Sequence, residues 1–314
     1  MEDKKTAKDL SAKRKKGIVC LLISAFSFAV MSMFISLAGD MPIFQKALFR
    51  NLVALALSLI LLARSPEKFT IRKGSMPGLL LRASFGTLGL ICNFYAISRI
   101  NIADAMILNK LSPFFAVIAS IVLLREVANI KQWFAIIIAL LGSLFVVKPG
   151  FLFANSGIYD QSHIFPAAVG IIGGISAGIA YTFLRKLSLK GERGVVIVAF
   201  FSAFSCVALV PFIIFTYEPV TPIQLLFCLC AGAAACSGQL FITAAYAACP
   251  AKEISVYDYS TVIFAAILGM LFLGEFPDML SILGYIIIIA ASVYAYLINN
   301  NIIRGKRNTE QEDR

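Results

Sequence analysis

Apolar residues in this chain neither alternate nor keep to one stripe. They run on, in ten continuous stretches of about the 20 residues a helix needs to cross a bilayer. We read the spans as 17–39, 42–63, 76–98, 102–124, 131–147, 164–187, 195–217, 222–247, 252–273 and 278–298. A transmembrane barrel would instead show alternating segments of about ten residues. Pro42, Pro77, Pro166 and Pro222 stand at span starts, where a missing N–H costs no helical hydrogen bond. The pattern predicts an all-α membrane protein of ten transmembrane helices, with a basic tail over 1–16 and another over 299–314.

The second five spans repeat the first. The stretch from Ala103 to Ala116, running on to Leu124-Arg125-Glu126, matches that from Lys252 to Ala265, running on to Gly274-Glu275. In that register Asn109 corresponds to Asp258, Lys110 to Tyr259, Pro113 to Val262 and Glu126 to Glu275. An odd number of helices repeated end to end places the second copy upside down. The expected domains are therefore two inverted five-helix repeats, 17–150 and 164–298.

Composition agrees: 60% hydrophobic, 14% charged and a mean hydropathy of +0.87 leave too little polar surface to coat a soluble globule. The net charge of +11 does not point to nucleic acid, because the cations are spread over every second loop and both tails rather than gathered on one face. Loops on the opposite side hold only Arg99 and Lys148. By the positive-inside rule both termini are cytoplasmic, in a multi-pass protein of the cell membrane. The first span also resembles a signal peptide, with Ser36-Leu37-Ala38 as a poor cleavage site, but it is too long for that reading.

Seven cysteines, odd in number and without paired Cys-x-x-Cys motifs, read as small apolar side chains. The one histidine, His163, falls in the loop between the halves. No serine has a base near it in a catalytic pattern and no glycine loop is built for phosphate, so neither an enzyme nor a cofactor is expected.

On the paired endings Leu123-Leu124-Arg125-Glu126 and Phe272-Leu273-Gly274-Glu275, on Val147-Lys148-Pro149-Gly150, on Phe94-Tyr95-Ala96 and on Tyr257-Asp258-Tyr259-Ser260, the chain resembles the EamA-type ten-helix members of the drug/metabolite transporter superfamily. The resemblance spans about 17–298 and implies that the first four helices of each repeat surround a central cavity, with the fifth and tenth supporting them from outside. Arg125 departs from the glycine that usually precedes this glutamate. Glu126 and Glu275 are expected to hold helix ends.

Function should lie among ionisable groups at membrane depth, each costing on the order of 2.5–3.5 kcal/mol at a helix centre unless paired, hydrated or used. At about 1.5 Å per residue, Lys46 lies roughly 6 Å, Asn93 roughly 7 Å, and Arg50 and Lys110 roughly 12 Å below the outer face. Arg82 and Asp258 lie about 9 Å from the inner face, which makes Arg82 the better depth match for Asp258 than Lys110. Lys46 is placed to snorkel. Met106, Asn109, Lys110 and Pro113 share one helical face, as do Tyr257, Asp258 and Thr261. Tyr95, Tyr181, Tyr246 and Gln239 are further candidates for a cavity wall, and Gly170, Gly174 and Gly178 allow close helix contact.

The expected function is secondary transport of a small polar metabolite by alternating access. Its substrate site draws on Arg50, Asn93, Asn109, Lys110, Tyr181, Gln239, Tyr257 and Asp258, and proton coupling falls to Asp258 or Glu253. Unpaired cations favour an anionic group on the substrate and Asp258 an amine, hence an amino acid or related zwitterionic or anionic compound. The expected partners are that small molecule and the lipid bilayer, with a homodimer left open. A flippase for a lipid-linked substrate and a non-transporting membrane interaction protein are the alternatives.

Overall fold

The computed structural model describes residues 2–67, 69–99, 106, 108–147, 164–274 and 276–312, and every described element is helical. His163, Asp104, Glu275 and the Lys148-Pro149-Gly150 motif lie outside the described residues. In chain order the helices are α1 (Glu2–Leu37), α2 (Ile43–Ala63), α3 (Met76–Arg99), α4 (Ser112–Leu124), α5 (Ile130–Val147), α6 (Ile164–Leu189), α7 (Gly194–Ile214), α8 (Pro222–Ala248), α9 (Ala251–Phe272) and α10 (Met279–Glu312). Nine of them, all but α4, are long and apolar enough to cross a membrane. Ten crossings return the chain to the side it started from, called here the terminal side.

The most extensive helix contacts recur when the halves are exchanged. α1 lies against α8 as α6 lies against α3; α4 meets α6 as α9 meets α1; α2 meets α8 as α7 meets α3; and α2 with α7, and α5 with α10, pair with their own counterparts. This is the contact pattern of two inverted repeats. Between α1 and α8 the Ser24 hydroxyl donates to the Gly238 carbonyl at 2.8 Å and the Ser27 and Ser237 hydroxyls bond at 3.0 Å; between α3 and α7, Thr87 and Ser205 do so at 2.7 Å. Such hydrogen bonds hold helices together where lipid removes the hydrophobic drive for association.

The fourth crossing, expected over 102–124 as a helix kinked by Pro113, is interrupted. Met106, Leu108 and Asn109 are helical, Lys110 and Leu111 form a turn, and the regular helix α4 starts only at Ser112. Pro113 has no N–H to carry the ladder through. The ninth crossing breaks at the equivalent place: Ala251–Ile254 is α-helical, Ser255–Tyr259 is a tighter 3-10 turn, and Ser260–Phe272 is α-helical again. Irregular backbone at membrane depth is tolerated only inside protein or beside a cavity, and broken helices mark transporter sites.

Glycines on α6 seat the break of α4. A Cβ on Gly174 would lie 2.6 Å from the Leu108 carbonyl oxygen, and one on Gly178 2.7 Å from the Ala116 amide nitrogen, so only glycine fits. Beyond α4, Arg125 adopts the left-handed conformation (φ 58°) that Gly274 holds (φ 70°) at the matching place after α9. The turn forms without its glycine.

Candidate functional site

The two breaks meet. Lys110 Nζ lies 3.3 Å from Asp258 Oδ2 and 3.3 Å from the Asp258 carbonyl oxygen, while the Tyr259 hydroxyl donates to the Lys110 carbonyl at 3.0 Å. The Thr261 hydroxyl donates to the same Asp258 carbonyl at 2.7 Å. This corrects three expectations. Lys110 is paired; Asp258 pairs with Lys110 and not with Arg82; and Lys110 and Asp258, set at different depths by straight-helix arithmetic, belong to adjoining breaks. The arithmetic failed because neither span is one straight helix.

Arg82 is instead held from the second repeat. Its Nη2 donates to Gln239 Oε1 on α8 at 3.3 Å, and its guanidinium lies 4.4 Å from the centre of the Phe201 ring on α7. Arg50 on α2 reaches the Met31 sulfur at 3.6 Å and lies 6.0 Å from the centre of the Phe94 ring. Both arginines are buried, neither meets a carboxylate among the described residues, and the Nε of each has no hydrogen-bond partner. Tyr181 on α6 is within electrostatic reach of Arg50, Arg82 and Asp258 together, and its ring stacks on that of Tyr246 at 5.2 Å.

Arg50, Arg82, Tyr181, Gln239, Lys110 and Asp258 thus form one interior cluster drawn from α2, α3, α6, α8 and the two breaks. Asn109 adjoins it in sequence, half-buried like Asn93 on α3, and no hydrogen bond ties either side chain among the described residues. Tyr257 does not join. Successive residues of a 3-10 turn are about 120° apart, so Tyr257 faces away from Asp258, into a cleft shared with α1 and α10. Tyr95 lies against Arg99 and Phe165, away from the cluster.

Two further sheltered ion pairs lie on the terminal side. Arg14 of α1 meets Glu253 at the start of α9 at 2.7 Å, and Arg185 of α6 meets Glu126 just beyond α4 at 2.8 Å while donating to the Tyr246 carbonyl at 2.9 Å. Lys252 Nζ donates to the Val127 carbonyl at 2.7 Å. Glu126 holds a helix end as expected. Glu253 is a partner in a closing bridge, away from the central cluster. On the opposite side Lys46 does not snorkel: its Nζ donates to the carbonyls of Ile35 and Gly39 at 3.1 and 2.6 Å, capping the end of α1.

Sequence reasoning missed the Tyr259 hydroxyl, although the repeat register had already set Tyr259 opposite Lys110. It missed the aromatic seats Phe94 and Phe201, which carry no signal distinguishing them from other phenylalanines.

Residues 15–148 and 164–297 match the profile of the EamA-like transporter family. A pseudopaline exporter, CntI, of Pseudomonas aeruginosa (strain UCBPP-PA14) is 31% identical over 281 residues, covering 89% of this chain and 95% of that protein. Solute carrier family 35 member G1 of Homo sapiens is 25% identical over 288 residues, covering 89% of this chain and 78% of that protein. A solved crystal structure superposes with a TM-score of 0.78 at 14% identity, covering 92% of this chain and 99% of its own, and shows the shared fold.

Proposed function

The chain belongs to the EamA-like transporter family and is a multi-pass membrane transporter of small molecules, and on that premise we propose that it carries a small polar anion by alternating access, as a secondary transporter of the cell membrane with both termini cytoplasmic. The observation that carries this reading is the pair of buried guanidiniums, Arg50 and Arg82, that no carboxylate neutralises among the described residues. Two such charges are kept at membrane depth against a cost of several kcal/mol, which a substrate carboxylate can offset. Tyr181 and Gln239 stand beside them as neutral hydrogen-bonding groups. Because Lys110 occupies Asp258, the amine site expected from a free aspartate is filled from within, and the leading substrate class narrows from zwitterions to anions.

The Lys110–Asp258 pair is the element an entering anion can open, by competing for the ammonium. Asp258 would then be left without its counter-ion, and we assign proton coupling to it on that ground. The terminal-side bridges Arg14–Glu253 and Arg185–Glu126 close the seams α1–α9 and α6–α4, which must part in the other half of the cycle.

A non-transporting protein of this fold would keep the cluster dry. The test is thiol labelling at Asn109→Cys in a background with the seven native cysteines replaced. A membrane-impermeant maleimide labels it if the site is visited by water, and no labelling from either side would remove the transport reading.

A further inference from the structure

Between α1, α9 and α10 lies a cleft of about 410 Å³, lined by Leu22, Tyr257, Ser260, Ile263, Ile289, Ser292, Val293 and Tyr296. The repeat register carries α5 onto α10 as it carries α4 onto α9, so each lining residue of α9 and α10 has a counterpart in the first half. Among the described residues those counterparts are packed against one another. Leu108, Leu111, Leu140, Leu144 and Val147, equivalent to Tyr257, Ser260, Ile289, Val293 and Tyr296, pack together in one apolar cluster. Phe114, equivalent to Ile263, closes on Trp133 with ring centres 5.1 Å apart. In the second repeat Ser260, Ile263 and Val293 are smaller than their counterparts Leu111, Phe114 and Leu144, while Tyr257 and Tyr296 replace Leu108 and Val147 at the terminal end of the cleft.

Two features say what fills it. Ile289 and Val293 are exposed on a helix that spans the membrane, so the cleft opens sideways to lipid. Its polarity is also graded. Tyr257 and Tyr296 lie toward the terminal side, Tyr257 in the 3-10 turn near the start of α9, while Ile263 lies beyond that turn, deeper in the span. The Tyr257 hydroxyl is buried and has no hydrogen-bond partner. A donor near the interface above an apolar slot matches the ester carbonyl and upper acyl chain of a phospholipid in the leaflet on the terminal side.

We propose that this cleft binds one phospholipid acyl chain from that leaflet, with the Tyr257 hydroxyl turning out of its buried, unpartnered position to donate to an ester carbonyl. Tyr257 and Asp258 are neighbours in the same 3-10 turn. A lipid seated there therefore touches the segment that positions the central ion pair, whatever solute that pair serves.

The test is native mass spectrometry of the full chain, purified in mild detergent and titrated with phosphatidylglycerol. The wild type is expected to keep one lipid through delipidation and to gain thermal stability on lipid addition. Ile263→Phe with Ile282→Trp rebuilds the plug of the first repeat, and that variant should fold with unchanged helicity and lose both effects. Tyr257→Phe, which keeps the shape and removes the donor, should weaken retention severalfold. Equal retention by all three proteins would mean an ordinary lipid annulus and overturn the proposal, as would a wild type that retains none. Either result leaves the anion-transport reading standing, because no solute enters the measurement.

Discussion

Tyr259 and Lys110 occupy equivalent positions in the two inverted repeats, and the hydroxyl of the first donates to the main-chain carbonyl of the second at 3.0 Å. The ammonium of Lys110 returns to the carboxylate and carbonyl of Asp258, the residue before Tyr259. Each broken helix thus supplies one side chain to the exposed backbone of the other. The clasp satisfies polar groups that lipid could not.

Tyr259→Phe removes one strand of that clasp. Tyr259 is fully buried, so the Lys110 carbonyl loses a partner that water cannot easily replace, and the expected loss is about 1–3 kcal/mol of stability. Thermal unfolding in detergent, followed by the loss of helicity, would register the change. An unchanged midpoint would show that the hydrogen bond contributes nothing.

The fold was legible because lipid leaves so few options: ten apolar runs, short connections and a repeat with an odd helix count fix the architecture. The pairing at the site was only half legible. The register brought positions 109–110 and 258–259 together, and depth counted along straight helices pulled them apart. Pro113 announced the first break, but nothing in Ser255-Val256-Tyr257-Asp258-Tyr259 announces a 3-10 turn. That turn moved Tyr257 off the site.

Arg125 and Gly274 allow a paired test of backbone strain. Both sit at positive φ after the equivalent helix. Gly274→Ala should cost about 1 kcal/mol even though nothing lies within 4 Å of the added Cβ. Arg125→Gly should be neutral or stabilising by up to about 1 kcal/mol, since relief of strain is partly offset by backbone entropy. Chemical unfolding of the two variants would measure this, and a strongly destabilised Arg125→Gly would mean that the arginine side chain has a role of its own.

The terminal-side bridge between Arg185 and Glu126 is half-sheltered. Glu126→Gln should loosen the seam between α6 and α4 and raise cysteine reactivity near Lys252 and Val127, because Arg185 loses its counter-ion. Replacing both partners with leucine should be less destabilising than either single change. A double change as costly as the two single changes combined would show that the residues do not act as a pair.

Asp258→Asn separates coupling from binding. The amide cannot take up a proton but can still face Lys110, so substrate exchange across proteoliposomes should persist while its dependence on a pH gradient disappears. Exchange in this variant that still follows the pH gradient would assign coupling elsewhere.

The most direct test of the central claim, that Arg50 and Arg82 hold an anion, is uptake by proteoliposomes from a defined mixture of carboxylic acids, amines, amino acids and sugars, read by mass spectrometry. The wild type should enrich carboxylate-bearing solutes, and Arg50→Met and Arg82→Met should each fold and reduce that enrichment at least tenfold. Enrichment of amines or neutral sugars by the wild type, or undiminished anion uptake by both arginine variants, would contradict it.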